Sequence, residues 1–255
     1  MLVIFSDVHA NREALSAVLE AALALKPEKT ICLGDIAGYG PDPAWCVEAV
    51  RSACDVVLCG NHDYALVYGS KEFSASAETA IRYHRALLMP RMGSPESYSE
   101  RQARWDFLKH LPPRHEEGDM LFVHGSPRNP VQEYLRESDV RYGLGRKLSE
   151  NFAQVKWIVF VGHTHRPGVI SEGLKFLSPA ELHEFYRAEP GEKAIINVGS
   201  VGQPRDGDPR AAFVTVEGRE VRWHRVIYDV EKTVRKIERS GTIDLDIAER
   251  LRSGL

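Results

Sequence analysis

Five apolar, strand-like runs in this chain stop abruptly at a small polar cluster, usually beside a glycine. The clusters are Ser6-Asp7-Val8-His9, Gly34-Asp35, Gly60-Asn61-His62-Asp63, His124-Gly125 and Gly162-His163-Thr164-His165. The runs Leu2 to Phe5, Thr30 to Leu33, Val56 to Leu58, Met120 to Val123 and Trp157 to Val161, with a sixth from Ala194 to Val198, are rich in Val, Ile and Leu. They do not alternate with polar residues, which is the pattern of strands buried on both faces. In an open α/β sheet the C-terminal strand ends gather along one edge, where ligands bind. Clusters far apart in the chain are therefore expected to converge on one site.

Between the first two runs, Leu15, Val18, Leu19, Ala22 and Leu23 follow an i, i+3, i+4, i+7, i+8 stripe, and Asn11 stands where a helix cap belongs. This is a β-α-β unit. Residues 74 to 111 carry helical patterns interrupted at Met89-Pro90 and are expected to form a helical, cap-like insertion over about 70–112. Lys and Arg outnumber acids over 82 to 115, an excess that suits either a solvated surface or substrate steering. Ala211 to Tyr228 reads as a hairpin around Glu217-Gly218, and Val230, Val234 and Ile237 mark a C-terminal helix. No repeat or linker interrupts the chain, so one domain over 1–255 is expected.

Composition narrows the setting. With 33 Lys and Arg against 36 Asp and Glu, the formal charge of −3 is too balanced for a protein that coats nucleic acid or an anionic membrane. No extended nucleic-acid surface and no membrane partner are expected. The N-terminus MLVIFSDVHANRE lacks a signal-peptide pattern, so the cytoplasm is the expected compartment. Cys32, Cys46, Cys54 and Cys59 lack metal-type spacing and read as reduced core thiols.

As ligands, the clusters offer Asp7, Asp35, the amide oxygen of Asn61, and His9, His124, His163 and His165. Seven nitrogen and oxygen donors exceed the need of a tetrahedral zinc and suit two divalent cations of higher coordination number. Two such ions, about 3.5 Å apart, require a bridging carboxylate and can hold a hydroxide as nucleophile. Singly, each cluster has a plainer reading. Asp7-x-His9 and Gly34-Asp35 are also turn chemistry, and His124 is also a hydrogen-bonded core histidine. The other histidines, His84, His110, His115, His183 and His224, lack a strand-end context and read as structural or surface residues.

In this order, Asp7-x-His9, Gly34-Asp35, Gly60-Asn61-His62-Asp63, Val123-His124-Gly125 and Gly162-His163-Thr164-His165 resemble the motif series of the calcineurin-like metallophosphoesterases. Gly199 to Asp208 resembles a loop of their small bacterial and archaeal phosphodiesterase branch. The resemblance implies a four-layered α/β/β/α sandwich with a di-metal site at the sheet edge. It implies one cation on Asp7, His9, Asp35 and His165 and another on Asp35, Asn61, His124 and His163, with Asp35 bridging. It also implies that His62 faces the scissile phosphate as the catalytic residue. Mn²⁺ and Fe²⁺ are the expected cations, and Zn²⁺ and Ni²⁺ suit the same donors.

One departure bears on substrate. The protein phosphatases and symmetrical diadenosine-tetraphosphatases of the family carry an Arg shortly after the bridging Asp, where this chain has Tyr39. Tyr cannot replace a bidentate guanidinium, so another cation is needed to hold phosphate, and Arg205 is the candidate. A salt bridge from Arg205 to Asp206 or Asp208 is the structural alternative. Asn11 is either a substrate contact or only a helix cap. The expected activity is hydrolysis of phosphodiesters or phosphoanhydrides in small, nucleotide-like substrates. The alternatives are a serine/threonine phosphatase-like phosphomonoesterase and a non-catalytic scaffold, which would have lost ligands or His62.

Overall fold

The computed structural model describes residues 1–69, 73–93 and 96–255. The first elements are β1 (Leu2–Phe5), α1 (Arg12–Ala24), β2 (Lys29–Cys32), α2 (Pro43–Ala53), β3 (Val56–Val57) and α3 (Asn61–Tyr68). There follow α4 (Ala75–Leu88), α5 (Tyr98–Lys109), β4 (Arg114–Glu117), β5 (Met120–Val123), α6 (Glu137–Arg141), α7 (Gly145–Phe152) and β6 (Ile158–Val161). The chain ends with β7 (Gly168–Ser171), β8 (Phe176–Leu177), β9 (Phe185–Arg187), β10 (Ala194–Asn197), β11 (Ala211–Glu217), β12 (Glu220–Val226), α8 (Val230–Ser240) and α9 (Leu245–Ser253).

The strands form two six-stranded sheets, ordered β3-β2-β1-β11-β12-β9 and β4-β5-β6-β10-β7-β8. Within them β1, β2 and β3 are parallel, as are β5, β6 and β10. Their continuous apolar runs divide between two faces. From β1, Val3 and Phe5 join Leu15 and Val18 of α1 and Val47 of α2, whereas Ile4 faces the second sheet. Phe122 of β5 with Ile158 and Phe160 of β6 meet Ile4, Ile31 and Val214 between the sheets. Leu121, Val123, Val159 and Val161 point the other way, onto Leu148 and Phe152 of α7. The layers are thus α/β/β/α, and the period of two in each strand assigns every second residue to the inter-sheet core. Phe160 is fully buried there, and its truncation to Ala costs about 3–5 kcal/mol.

Helix α1 starts as expected, with the Asn11 side chain accepting from the Ala14 N–H at 3.2 Å. Its buried face is Ala14, Leu15, Val18 and Ala22, while Leu23 is 66% exposed. The stripe fails at Leu23 because the helix ends one residue later.

The expected insertion contains α4 and α5, which pack on α2 and α3 and share the core cluster of α1 through Ile81, Leu88 and Leu108. Residues 70–72 and 94–95 of it lie outside the described residues. Helix α4 stops at Leu88 because Met89, before Pro90, is extended. Three of the local arginines serve neither solvent nor steering. Arg85 donates to the carbonyls of Leu66 and Val67, Arg101 to those of Ala86 and Met89, and Arg104 pairs with Glu96. The first two satisfy carbonyls that the ends of α3 and α4 leave free.

Candidate metal centre

The parallel strands of both sheets end at one place. Asp7 and His9 follow β1, Asp35 follows β2, Asn61 and His62 open α3, His124 follows β5, and His163 and His165 follow β6. Their side chains form two adjoining donor groups, Asp7, His9, Asp35 and His165 in one and Asp35, His124 and His163 in the other. In the first, the Nε2 atoms of His9 and His165 are 3.0 Å apart, and Asp7 Oδ1 is 3.2 Å from His165 Nε2. In the second, His124 Nε2 lies 3.0 Å from Asn61 Oδ1 and 3.2 Å from His163 Nδ1. All seven residues are buried.

The backbone is bent to bring them together. Asp7, His9, Asp35, His163 and His165 have φ between 47° and 65°, in the left-handed region that Cβ-bearing residues avoid. Room for this comes from glycine. A Cβ at Gly60 would strike the Asp35 carboxylate and backbone, and one at Gly162 would strike Ser6 and the Asp7 carboxylate.

The hydrogen bonds define what the centre accepts. His9 Nδ1 faces Ala37 O at 3.1 Å, His165 Nδ1 faces Gln203 O at 2.6 Å, and His163 Nε2 faces Gln132 O at 3.2 Å. A carbonyl oxygen only accepts, so each of these ring nitrogens donates and the opposite nitrogen turns a lone pair inward. Lone pairs 3.0 Å apart repel unless a proton or a cation lies between them. Asp35 adds to this. Its Oδ1 accepts the His62 N–H at 2.8 Å, while its buried Oδ2 accepts no hydrogen bond and lies 3.3 Å from His124 Nε2 and 3.7 Å from His9 Nε2. It therefore faces both groups at once.

The titration tendencies agree. Burial alone would push the Asp35 carboxyl up, but the imidazoles of His124 and His62 hold it well below the usual carboxylate range. Burial pushes His9 well down, and burial with the neighbouring His124 pushes His163 down to about 3, so both stand as neutral donors. Against its own burial, His124 is held up at about 9 by the Asp35 charge. The cluster draws positive charge to the place where the donors converge, and its nitrogen and oxygen set fits divalent cations.

His62 lies outside both donor groups. Its ring packs edge-on to His9 at 4.8 Å and to Phe73 at 4.9 Å, and burial pushes its pKa down to about 4. Tyr39 sits 4.8 Å from both His9 and His62. The Arg205 guanidinium is 5.7 Å from the Tyr39 ring, its Nη2 donates to Gln203 Oε1 at 2.6 Å, and its buried Nε has no acceptor among the described residues. The alternative salt bridge is not formed: Asp206 pairs with Arg225 and Asp208 with Arg210. Asn11 is 1% exposed, and its side chain is committed to Ala14, Gly202, Tyr228 and Thr233. These are the bonds of a cap and clasp rather than of a substrate contact.

Three residues without an assigned role in the motif reading support the centre. The Asp63 carboxylate accepts the N–H groups of Ile36, Ala37 and Gly60, joining the Asp35 loop to α3. His84, read as structural, accepts from the Gly38 N–H through Nδ1 and donates to Gly40 O through Nε2, so it shapes the loop that carries Tyr39. The Tyr134 ring stacks on His163 with centroids 3.6 Å apart. Asp63 stood in a visible cluster, whereas Tyr134 lies in a loop whose sequence has no period to mark it.

Residues 1–219 match the model of the calcineurin-like phosphoesterase superfamily domain. The uncharacterized protein MJ0912 of Methanocaldococcus jannaschii is 34% identical over 249 residues, spanning 93% of this chain and 91% of its own. The crystal structure of a metallophosphoesterase from Sphaerobacter thermophilus superposes with a TM-score of 0.80 at 34% identity, over 100% of this chain and 98% of that one. The hypothetical protein PH1004 of Pyrococcus horikoshii shares the fold, with a TM-score of 0.70 at 18% identity over 100% and 99% of the two chains. Among the described residues, no helix is long and apolar enough to cross a membrane.

Proposed function

The chain belongs to the calcineurin-like phosphoesterase superfamily, and we propose that it hydrolyses phosphodiester or phosphoanhydride bonds of small, nucleotide-like substrates at a centre for two divalent cations. The observation that carries this reading is Asp35 Oδ2, a buried carboxylate oxygen without a hydrogen bond among the described residues, set where two groups of nitrogen and oxygen donors adjoin. Cations held there would supply Lewis-acid charge and a water nucleophile. Asp7, His9, Asp35 and His165 would hold one, and Asp35, Asn61, His124 and His163 the other. Mn²⁺ and Fe²⁺ suit these donors, with Zn²⁺ and Ni²⁺ as alternatives.

The protein's other residues handle substrate. His62 lines a cleft of about 670 Å³ together with Asn61 and His163. From there its ring can donate to the leaving oxygen or to charge developing on phosphate. Tyr64 and Tyr68 on the same cleft are 44% and 56% exposed, with rings 4.8 Å apart, and offer apolar faces to a nucleobase. Arg205 supplies the fixed positive charge that Tyr39 cannot. A protein-phosphatase role lacks support because Tyr39 is a ring packed on imidazoles, not a bidentate clamp.

The test is a metal-reconstituted screen across cyclic nucleotides, dinucleoside polyphosphates, phosphodiesters and phosphomonoesters. Cation-dependent turnover of bis(p-nitrophenyl) phosphate above that of the p-nitrophenyl monoester and a phosphopeptide is expected. A preference for the phosphopeptide would favour the phosphatase reading, and no turnover with any cation would favour a scaffold.

A further inference from the structure

A second cleft, of about 410 Å³, shares Tyr134 with the first and lies beside the metal centre, where Thr164 and Arg205 form part of its wall. Four guanidiniums line it, from Arg136, Arg141, Arg166 and Arg205. Among its described lining residues the one carboxylate is Glu137, which is taken by Arg141 at 2.6 Å. The ion pairs among the described residues include none from Arg136, Arg166 or Arg205. Three uncompensated positive charges around one concavity repel each other, and an anion relieves the repulsion.

The arrangement leads back to the centre. The Arg136 guanidinium lies over the Tyr134 ring, 4.2 Å from its centroid, and the same ring stacks on His163. The Arg205 backbone N–H donates to His165 O at 3.2 Å, and its guanidinium lies 5.7 Å from the Tyr39 ring that packs on His62. Cations therefore extend from the edge of the metal centre into the cleft, where Ile170, Phe176 and Ile195 add an apolar wall.

We propose that this cleft is a subsite for the rest of a phosphoanhydride chain, which makes nucleoside polyphosphates, rather than singly charged diesters, the preferred substrate class. This rests on the reading of the adjoining centre as the place of hydrolysis. Hydrolysis of an anhydride consumes one water. Its oxygen forms the new P–O bond, the bridging P–O bond breaks, its electron pair leaves on the distal phosphate, and the water protons pass to products or solvent. The distal phosphate is the group that Arg205, Arg136 and Arg166 face. Guanidiniums bind it in bidentate fashion, and the apolar wall accepts a base.

The experiment uses the full chain and the double variant Arg136→Ala/Arg166→Ala, with Arg136→Lys/Arg166→Lys as the charge-retaining companion if the first does not fold. Calorimetry on metal-free protein measures ATP and inorganic tripolyphosphate. Wild type is expected to bind both, ATP at least fivefold more tightly, and the alanine variant to lose at least tenfold in each affinity. The lysine pair should keep charge but lose the bidentate contacts, with a loss of a few fold. In the loaded enzyme, the ratio of kcat/KM for a dinucleoside tetraphosphate to that for bis(p-nitrophenyl) phosphate should fall 10- to 100-fold in the alanine variant. Equal binding by wild type and the alanine variant, or an unchanged ratio, overturns the subsite. Equal affinity for ATP and tripolyphosphate overturns its nucleoside character. Arginine-dependent binding without turnover of any ester would leave the subsite standing and defeat the catalytic reading.

Discussion

The phenol ring of Tyr134 lies nearly parallel to the imidazole of His163, 19° from coplanar. His163 is thus fixed twice, by this stack and by the bond to Gln132 O, and its Nδ1 cannot swing away from His124. Tyr134→Ala is expected to weaken cation binding by roughly 10- to 100-fold, the scale found for groups that orient a ligand. Tyr134→Phe keeps the ring and should bind as wild type does. Equal cation affinity in the alanine variant, by titration against a competing chelator, would remove Tyr134 from this role.

Asp35→Asn preserves shape and an acceptor for the His62 N–H but removes the charge shared by both donor groups. It should lower bound metal below two per chain and abolish measurable turnover. Metal analysis and kinetics on the purified variant decide it. Two retained cations with the wild-type rate would contradict the bridging role.

His62→Ala should separate chemistry from assembly. The expected loss is about 10²- to 10⁴-fold in kcat with both cations retained, and it should shrink with p-nitrophenolate, which departs without a proton. Loss of metal together with rate would make His62 a ligand.

Among the described residues Arg205 has no acidic partner, so its removal should leave the thermal midpoint nearly unchanged. Arg205→Ala is expected to lower kcat/KM for nucleotide polyphosphates by about 1.5–3 kcal/mol, as for a charged hydrogen bond. A lowered midpoint with unaltered kcat/KM would assign Arg205 to the loop's structure instead.

Much of this was visible in the residue order, because strands buried on both faces are written as unbroken apolar runs. Ligands at their ends are then conspicuous. Three of the four sheet edges were not visible in the same way. Strand β4 is Arg-His-Glu-Glu, a polar segment with no strand pattern of its own, held by its pairing with β5. Strands β8 and β9 have two and three residues, too few for a period. Arg136 and Tyr134 belong to a loop whose meaning depends on where β5 and β6 deliver it. Arg85 and Arg101 looked like surface charge because setting a guanidinium on helix carbonyls leaves no trace in spacing.

That loop has an acid-labile anchor. The Glu133 carboxylate is resisted by its partial burial but receives Arg128, Ser126 Oγ at 2.7 Å and Asn151 Nδ2 at 3.0 Å, which hold its pKa down at about 2 from the usual 4.5. A depressed carboxylate pKa stabilises the fold above about pH 4.5, and the contribution is lost as pH falls toward 2. Glu133→Gln should therefore cost roughly 1.5–3 kcal/mol at pH 7, the worth of a hydrogen bond to a charged group. The difference in thermal midpoint between variant and wild type should narrow below pH 4.5. A constant difference from pH 7 to pH 3 would disprove the assignment.

The left-handed backbone at Asp7, His9, Asp35, His163 and His165 links the stability of the fold to cation capture. Each such residue gives up about 1 kcal/mol or more, and the converging lone pairs add repulsion that only positive charge relieves. A chain selected for rigidity alone would have glycine or asparagine at these bends. A cation bound among these donors would complete the native state, and its free energy would then shift with the logarithm of ion concentration once binding saturates. The melting curve of this protein is, in that sense, an ion gauge, and cells that starve it of metal would be testing its fold as well as its activity.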